Sequence, residues 1–117
     1  MSKLVVILGP TASGKTSLAT NLAFRLKAEI ISADSRQIYK GMDIGTGKDL
    51  HEYIVNNKNI PYHLINILEP SENYSVYAFK KDFYNIYNSL NNNKKLSILC
   101  GGTGLYIESV LLNYQMV

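Results

Sequence analysis

The sequence predicts an α/β fold with a mostly parallel sheet and helices on both faces. Three observations predict it. Short, continuous apolar runs recur along the 117 residues, each bounded by glycine, proline or polar residues, as strands buried on both faces read. Segments with apolar residues at helical spacing separate those runs, so strand and helix alternate as in βαβ units. The length is that of one ordinary domain, residues 1–117, able to bury a core without disulfide or metal staples.

The elements follow in order. Leu4-Val5-Val6-Ile7-Leu8, stopped by Gly9-Pro10, is a first strand. From Lys15, the spacing of Leu18, Ala19, Leu22, Ala23 and Leu26 predicts a helix with those residues on its buried face. Glu29-Ile30-Ile31-Ser32-Ala33 is a second strand. The stretch from Gly41 to Gly47 reads as a loop and 49–57 as a short helix. Pro61 opens a third strand, His63-Leu64-Ile65-Asn66-Ile67, halted by Pro70. Ser75 is placed to cap a helix that buries Val76, Phe79, Phe83, Ile86 and Leu90. Asn91-Asn92-Asn93-Lys94-Lys95 reads as a polar turn, Leu96-Ser97-Ile98-Leu99-Cys100 as a fourth strand, and 105–112 as a last helix. A four-stranded sheet ending there is small, and the chain reads as the first part of something longer.

Composition narrows the classes. A single cysteine, Cys100, at the end of a buried strand excludes a disulfide framework and a multi-cysteine zinc site, and reads as packing. No apolar run approaches the roughly 20 residues of a membrane span, and the apolar N-terminal run is too short for a signal peptide, so a cytoplasmic protein is expected. His51 and His63 lack ligand spacing. The net charge of +3 is a mild bias toward anionic partners.

Three motifs carry chemistry, each after an expected strand. Gly9-Pro10-Thr11-Ala12-Ser13-Gly14-Lys15-Thr16 matches G-x-x-x-x-G-K-[ST] between a strand and a helix. Backbone N–H groups of such a loop and of the helix start have no intrahelical partners and surround a phosphate. Lys15 adds a cation, read as exposed, and the Thr16 hydroxyl is placed to ligate Mg²⁺. The fold is therefore expected to be P-loop NTPase-like. Asp34-Ser35-Arg36-Gln37 follows the second strand, where open parallel sheets bind ligands. Asp34 there orients a metal through water, binds an amine, acts as a general base, or only forms a turn. Gly101-Gly102-Thr103-Gly104 follows the fourth strand, with Thr103 as a ligand-facing hydroxyl or a helix cap. Lys48 reads as a phosphate contact or a solvated loop lysine. The tyrosines and phenylalanines of 74–87 read mainly as core, with one or two facing a prenyl chain or a base.

Together these motifs resemble the tRNA dimethylallyltransferases, also called tRNA isopentenyltransferases. The residues carrying the resemblance are Gly9 to Thr16, the run from Asp34 to Thr46, Pro61 with His63-Leu64-Ile65, Tyr74-Ser75 with Phe79, and Gly101-Gly102-Thr103-Gly104-Leu105-Tyr106. The chain departs from the family pattern at Gly47-Lys48-Asp49, and at Tyr62 and Asn66. The resemblance implies the N-terminal part of a longer, monomeric enzyme. Its reaction would move a dimethylallyl group from dimethylallyl diphosphate to the exocyclic amine of the adenosine 3′ of a tRNA anticodon. It implies Asp34 as general base and Thr103 as a second catalytic residue. Gly9, Pro10, Thr11, Ala12, Ser13, Gly14, Lys15 and Thr16 would bind phosphate or nucleotide, including ATP, with Mg²⁺ at Thr16. Asp34, Ser35, Arg36 and Gln37 would meet the tRNA anticodon stem-loop. The rival readings are an adenylate isopentenyltransferase, a small-molecule P-loop kinase, and an inactive nucleotide-binding remnant.

Overall fold

A computed structural model describes residues 4–9, 14–34, 37–41, 50–101 and 106–110. Its elements are β1 (Leu4–Leu8), α1 (Lys15–Leu26), β2 (Glu29–Ser32), a 3₁₀ turn (Leu50–Tyr53), β3 (Ile54–Val55), β4 (Lys58–Asn59), β5 (Tyr62–His63), α2 (Val76–Asn92) and β6 (Ser97–Gly101). Residues 106–110 are helical.

The four expected strands form one sheet, in the order β1-β6-β2-β5, with parallel neighbours throughout. The last strand in sequence is thus inserted between the first two. Its five residues are all buried, as a strand flanked on both sides and covered on both faces requires. The register aligns the strand ends: Leu4 and Glu29 both pair with Ser97, Leu8 with Gly101, and Ser32 with Cys100.

Alternation along the strands splits the core into two layers. Ile30 and Ile98 face a cluster with Ala19 and Ala23 of α1, Tyr53 and Ile60. Ile31 and Leu99 face the opposite cluster, with Phe79, Phe83, Tyr87 and Leu90 of α2 and with Ile107 and Val110. Helices therefore cover both faces, as expected.

Local chemistry explains the elements and the departures from expectation. Ser75 caps α2, its Oγ accepting from Ala78 N at 3.0 Å. The buried face of α2 includes Tyr87, which stacks on Phe83 at 5.6 Å between ring centres, while Val76 and Ile86 are only half-buried. On α1 the expected stripe is rotated: Ala19, Thr20, Ala23 and Lys15 are buried, whereas Leu18 is 61% exposed. Small residues let the helix lie close to the sheet, which a leucine stripe would not.

Of the segment 49–57, residues 50–57 are described, and they form one 3₁₀ turn and a hairpin rather than a short α-helix. After the 3₁₀ turn, β3 and β4 form an antiparallel hairpin whose turn residues Asn56 and Asn57 have φ of 51° and 64°. Two consecutive positive φ values define the turn that matches strand twist, and asparagine tolerates them. The third strand is also shorter than expected, Tyr62–His63 alone. Leu64 (φ 66°) and Asn66 (φ 58°) turn the chain, sending Leu64 and Ile65 into opposite core layers. Asn91 and Asn92 belong to α2, and the turn falls at Asn93 and Lys94. Of the last helix, 106–110 is described; of the glycine-bearing loop, Gly41 is.

Candidate functional site

The sheet order brings the exits of β1, β6 and β2 side by side. Gly9 N donates to Gly101 O at 3.3 Å, and Ala33 N donates to Cys100 O at 2.9 Å, so backbone bonds tie the three exits together. All three sequence motifs begin at these exits.

At the β1–α1 junction, Gly14 stands at φ 80°, a conformation open to glycine, and precedes α1 without any side-chain cap. The first turn of α1 carries no acid. Among the described residues no side chain caps its orphan N–H groups, and its positive dipole end suits an anion. Lys15, expected to be exposed, is buried at 6% exposure in the first turn of α1. Thr16 is half-buried. Pro10, Thr11, Ala12 and Ser13 lie outside the described residues.

At the β2 exit, a short network sets the backbone. Ser32 Oγ donates to Gln37 Oε1 at 3.1 Å and accepts from Asp34 N at 3.4 Å. Gln37 N donates to Asp34 O, and Gln37 O accepts from Asn66 N. Ile67 and Leu68 both donate to Ile38 O, so the segment after β5 clamps the segment after β2. Asp34 is left half-buried at the crevice. Gln37, which the family resemblance places against tRNA, is buried at 6% exposure and braces the loop through Ser32. Ser35, Arg36, Lys48 and Thr103 lie outside the described residues.

Cys100, at the end of the central strand, reports the charges around it. Burial pushes its thiol up, the Lys15 ammonium pulls it down, and Asp34 and Glu52 push it up. A cation from the β1–α1 junction and a carboxylate from the β2 exit therefore act on one atom. Glu52 joins them from the 3₁₀ turn, a residue no motif singles out. Its place follows from neighbouring Tyr53, buried against α1, and no local sequence signal announces it. Cys100 itself is buried, as a packing residue would be. His63 Nε2 lies 2.8 Å from Glu29 Oε1, bracing β5 against β2. Among the described residues no group of three or more His, Cys, Asp or Glu side chains converges as a metal cage, and no helix is long and apolar enough to cross a membrane.

A glycine-marked, uncapped helix start with a buried lysine, beside the exits of a parallel sheet covered on both faces, defines a P-loop-like α/β protein. Known proteins make this specific. The chain matches the IPP transferase family over residues 37–117 and the isopentenyl transferase family over residues 2–66. It is 58% identical over 114 residues to a tRNA dimethylallyltransferase of Phocaeicola vulgatus, covering 97% of this chain and 37% of that one. It is 59% identical over 115 residues to one of Parabacteroides distasonis, covering 98% and 38%. Its fold superposes on the full-length tRNA isopentenylpyrophosphate transferase of Bacillus halodurans with a TM-score of 0.87 and 42% identity, covering 100% of this chain and 38% of that one. A eukaryotic dimethylallyltransferase acting on tRNA superposes with a TM-score of 0.82 and 34% identity, over 92% and 26%. The chain belongs to the IPP transferase family, and it spans less than two-fifths of the length of these relatives.

Proposed function

We propose that the protein transfers a dimethylallyl group from dimethylallyl diphosphate to the exocyclic amine of an adenosine beside a tRNA anticodon, in the cytoplasm. The observation that carries this reading is the sheet order, which sets Lys15, at an uncapped helix start after β1, and Asp34, at the exit of β2, on one sheet edge on either side of β6. One is suited to a diphosphate, the other to a proton. Relatives at 58–59% identity named for this reaction support it.

The chemistry has two demands. Breaking the bond between the allylic carbon and oxygen leaves pyrophosphate, whose growing charge must be met by donors already in place. The α1 N–H groups and Lys15 meet it. The new carbon–nitrogen bond forms at an amine whose lone pair is conjugated with the ring, so a proton must leave as the bond forms. Asp34 accepts that proton. The base must leave its stack to be reached, which costs least in a single-stranded loop. The resemblance puts Thr103 beside the reacting groups and Ser35 and Arg36 toward the tRNA. Gln37 then acts through the backbone it holds.

Thr16 would hold Mg²⁺: its half-buried hydroxyl is a hard oxygen of the kind that shares this ion with substrate phosphates rather than caging it alone. When bound, the ion would neutralise charge on the diphosphate.

The test is to incubate the complete protein with radiolabelled dimethylallyl diphosphate and either tRNA or AMP, and with γ-labelled ATP in parallel. Label in tRNA is expected. Label in AMP instead, or phosphate transferred from ATP to a small acceptor, overturns the reading in favour of an adenylate isopentenyltransferase or a kinase.

A further inference from the structure

We propose that His63 and Glu29 are positioning residues: their bond, at the end of β2 opposite the site, seats β5 and, through the chain that follows it, the backbone beside Asp34. The inference rests on the transferase reading for what Asp34 does, and on bonds among described residues for how its surroundings are held.

β5 is a marginal strand. It pairs with β2 through two residues, Tyr62 with Ile30 and His63 with Ile31. Glu29 stands two residues before Ile31, on the same face of the sheet as His63, at the diagonal separation that long side chains bridge. His63 Nε2 lies 2.8 Å from Glu29 Oε1. A carboxylate only accepts, so the ring nitrogen donates. Glu29 is itself fixed: it pairs with Ser97 of β6, and its N–H donates to Leu96 O at 3.1 Å. Beside His63 a cleft of about 220 Å³ opens toward α2, lined by His63, Asn85, Ile86, Ser89 and Leu90. That space leaves the ring room to turn away, and the bond to Glu29 is what keeps it in place.

The chain after β5 is strained and is held from both ends. Leu64 and Asn66 stand at φ 66° and 58°, a region that leucine enters only where its surroundings over-determine it. Beyond the turn, Asn66 N donates to Gln37 O at 3.0 Å, and Ile67 N and Leu68 N donate to Ile38 O at 2.9 and 3.1 Å. Lys40 N donates back to Leu68 O at 2.8 Å, and Gln37 N donates to Asp34 O at 3.1 Å. Before the turn, the hold is the two-residue β5 and the His63–Glu29 bond. Without that bond Leu64 relaxes toward ordinary φ, and the strip to which residues 37–40 are bonded shifts with it. Asp34, bonded through its carbonyl to Gln37, follows.

In the complete protein, His63→Ala and Glu29→Ala are each expected to slow single-turnover alkylation of tRNA by about tenfold, within the roughly 10²-fold that misplacement by about 1 Å costs. KM for dimethylallyl diphosphate should stay within about twofold, because neither residue belongs to the β1–α1 junction. The double variant should be no slower than the slower single one, since both remove the same bond. His63→Gln and Glu29→Gln each keep an N–H facing an oxygen and should recover most of the rate. His63→Phe, which keeps the bulk of the ring without a donor, should not, and the Phe and Gln variants carry the comparison if an alanine variant fails to fold. Amide hydrogen exchange in His63→Phe should accelerate at residues 37, 40 and 66–68, while β1, α1 and β6 keep the protection of the parent and His63→Gln stays close to the parent throughout. Unchanged exchange at those amides, acceleration across the whole sheet, equal exchange in the Phe and Gln variants, additive losses, or a His63→Phe rate equal to that of the parent overturns the proposal. If the parent protein does not alkylate tRNA, the transferase reading fails, and the exchange comparison still decides what the His63–Glu29 bond holds.

Discussion

Replacing Gly101 by alanine puts the closure of the site under direct strain. The new methyl carbon would lie 3.0 Å from Ala33 Cβ, 3.1 Å from the Ala33 carbonyl carbon and 3.2 Å from its oxygen. Carbon atoms rest at about 3.5–4.0 Å, so the pair must separate by roughly half an ångström. No flexible side chain can give way, because two of the three atoms are backbone. The Ala33 backbone is also bonded to Cys100 O at 2.9 Å, so moving it stretches the link between β2 and β6. Overpacking of this kind costs about 1–3 kcal/mol. Reduced freedom of the unfolded chain returns about 0.4–1 kcal/mol. The expected net loss is about 1–2 kcal/mol, read as a lower midpoint in urea with an unchanged slope. Because Asp34 follows Ala33, the alkylation rate should fall by about tenfold as well. A midpoint at or above that of the parent protein would refute the close-approach argument, and a normal rate at a lowered midpoint would separate Asp34 from the strand exit.

Lys15→Met keeps an unbranched stem and deletes the charge, so pyrophosphate binding measured calorimetrically should fall by at least about tenfold while the protein stays folded; undiminished affinity would remove Lys15 from the phosphate site. Asp34→Asn should slow single-turnover alkylation by about 10²–10⁴-fold with little change in substrate binding, as loss of a positioned base does; recovery on raising Mg²⁺ would make it a metal-orienting residue instead. Stability should decline at alkaline pH, because Cys100, Tyr53 and Tyr74 all have folded-state affinities for their protons raised by burial above ordinary values of 9.0 and 10.0. The unfolded chain then releases protons that the folded one keeps, so the unfolding free energy falls from about pH 9 upward, first through the cysteine and then through the tyrosines; a flat profile from pH 8 to 11 would contradict that burial.

Much of this molecule is legible in local sequence because each cue is local. The run Leu4–Leu8, the Ser75 cap and the Phe79-Phe83-Leu90 spacing need only their neighbours to act. The hairpin of β3 and β4 was equally readable from Asn56-Asn57, whose tolerance of positive φ outweighs a helix-like pattern around it. The shortened third strand was not. Leu64 at φ 66° has no sequence cue, since a leucine adopts it only where tertiary contacts over-determine the turn, here by burying Leu64 and Ile65 in opposite layers. In the site, motif spacing marked Lys15 and Asp34, but spacing says nothing of burial. That Lys15 is buried and Gln37 serves Ser32 follows from the strand order, which no local pattern carries.

That strand order also makes the site and the fold one event. β1 and β2 do not pair with each other; each pairs with β6, the last of the described strands in sequence. Until β6 inserts, no strand pairing sets the distance between the phosphate-binding junction and Asp34, which only α1 connects. Insertion must close the long loop from Leu4 to Ser97, which pair, and such long-range parallel pairing is slow to form. The compensation is geometric. The bonds that seat β6, Gly9 N to Gly101 O and Ala33 N to Cys100 O, are made by the residues that open the three functional segments. A substitution that weakens β6 insertion therefore loses reactivity in proportion to stability, whereas one in Lys15 or Asp34 loses reactivity alone. Measuring both quantities for Gly101→Ala, Lys15→Met and Asp34→Asn sorts the residues that build the site from those that act in it.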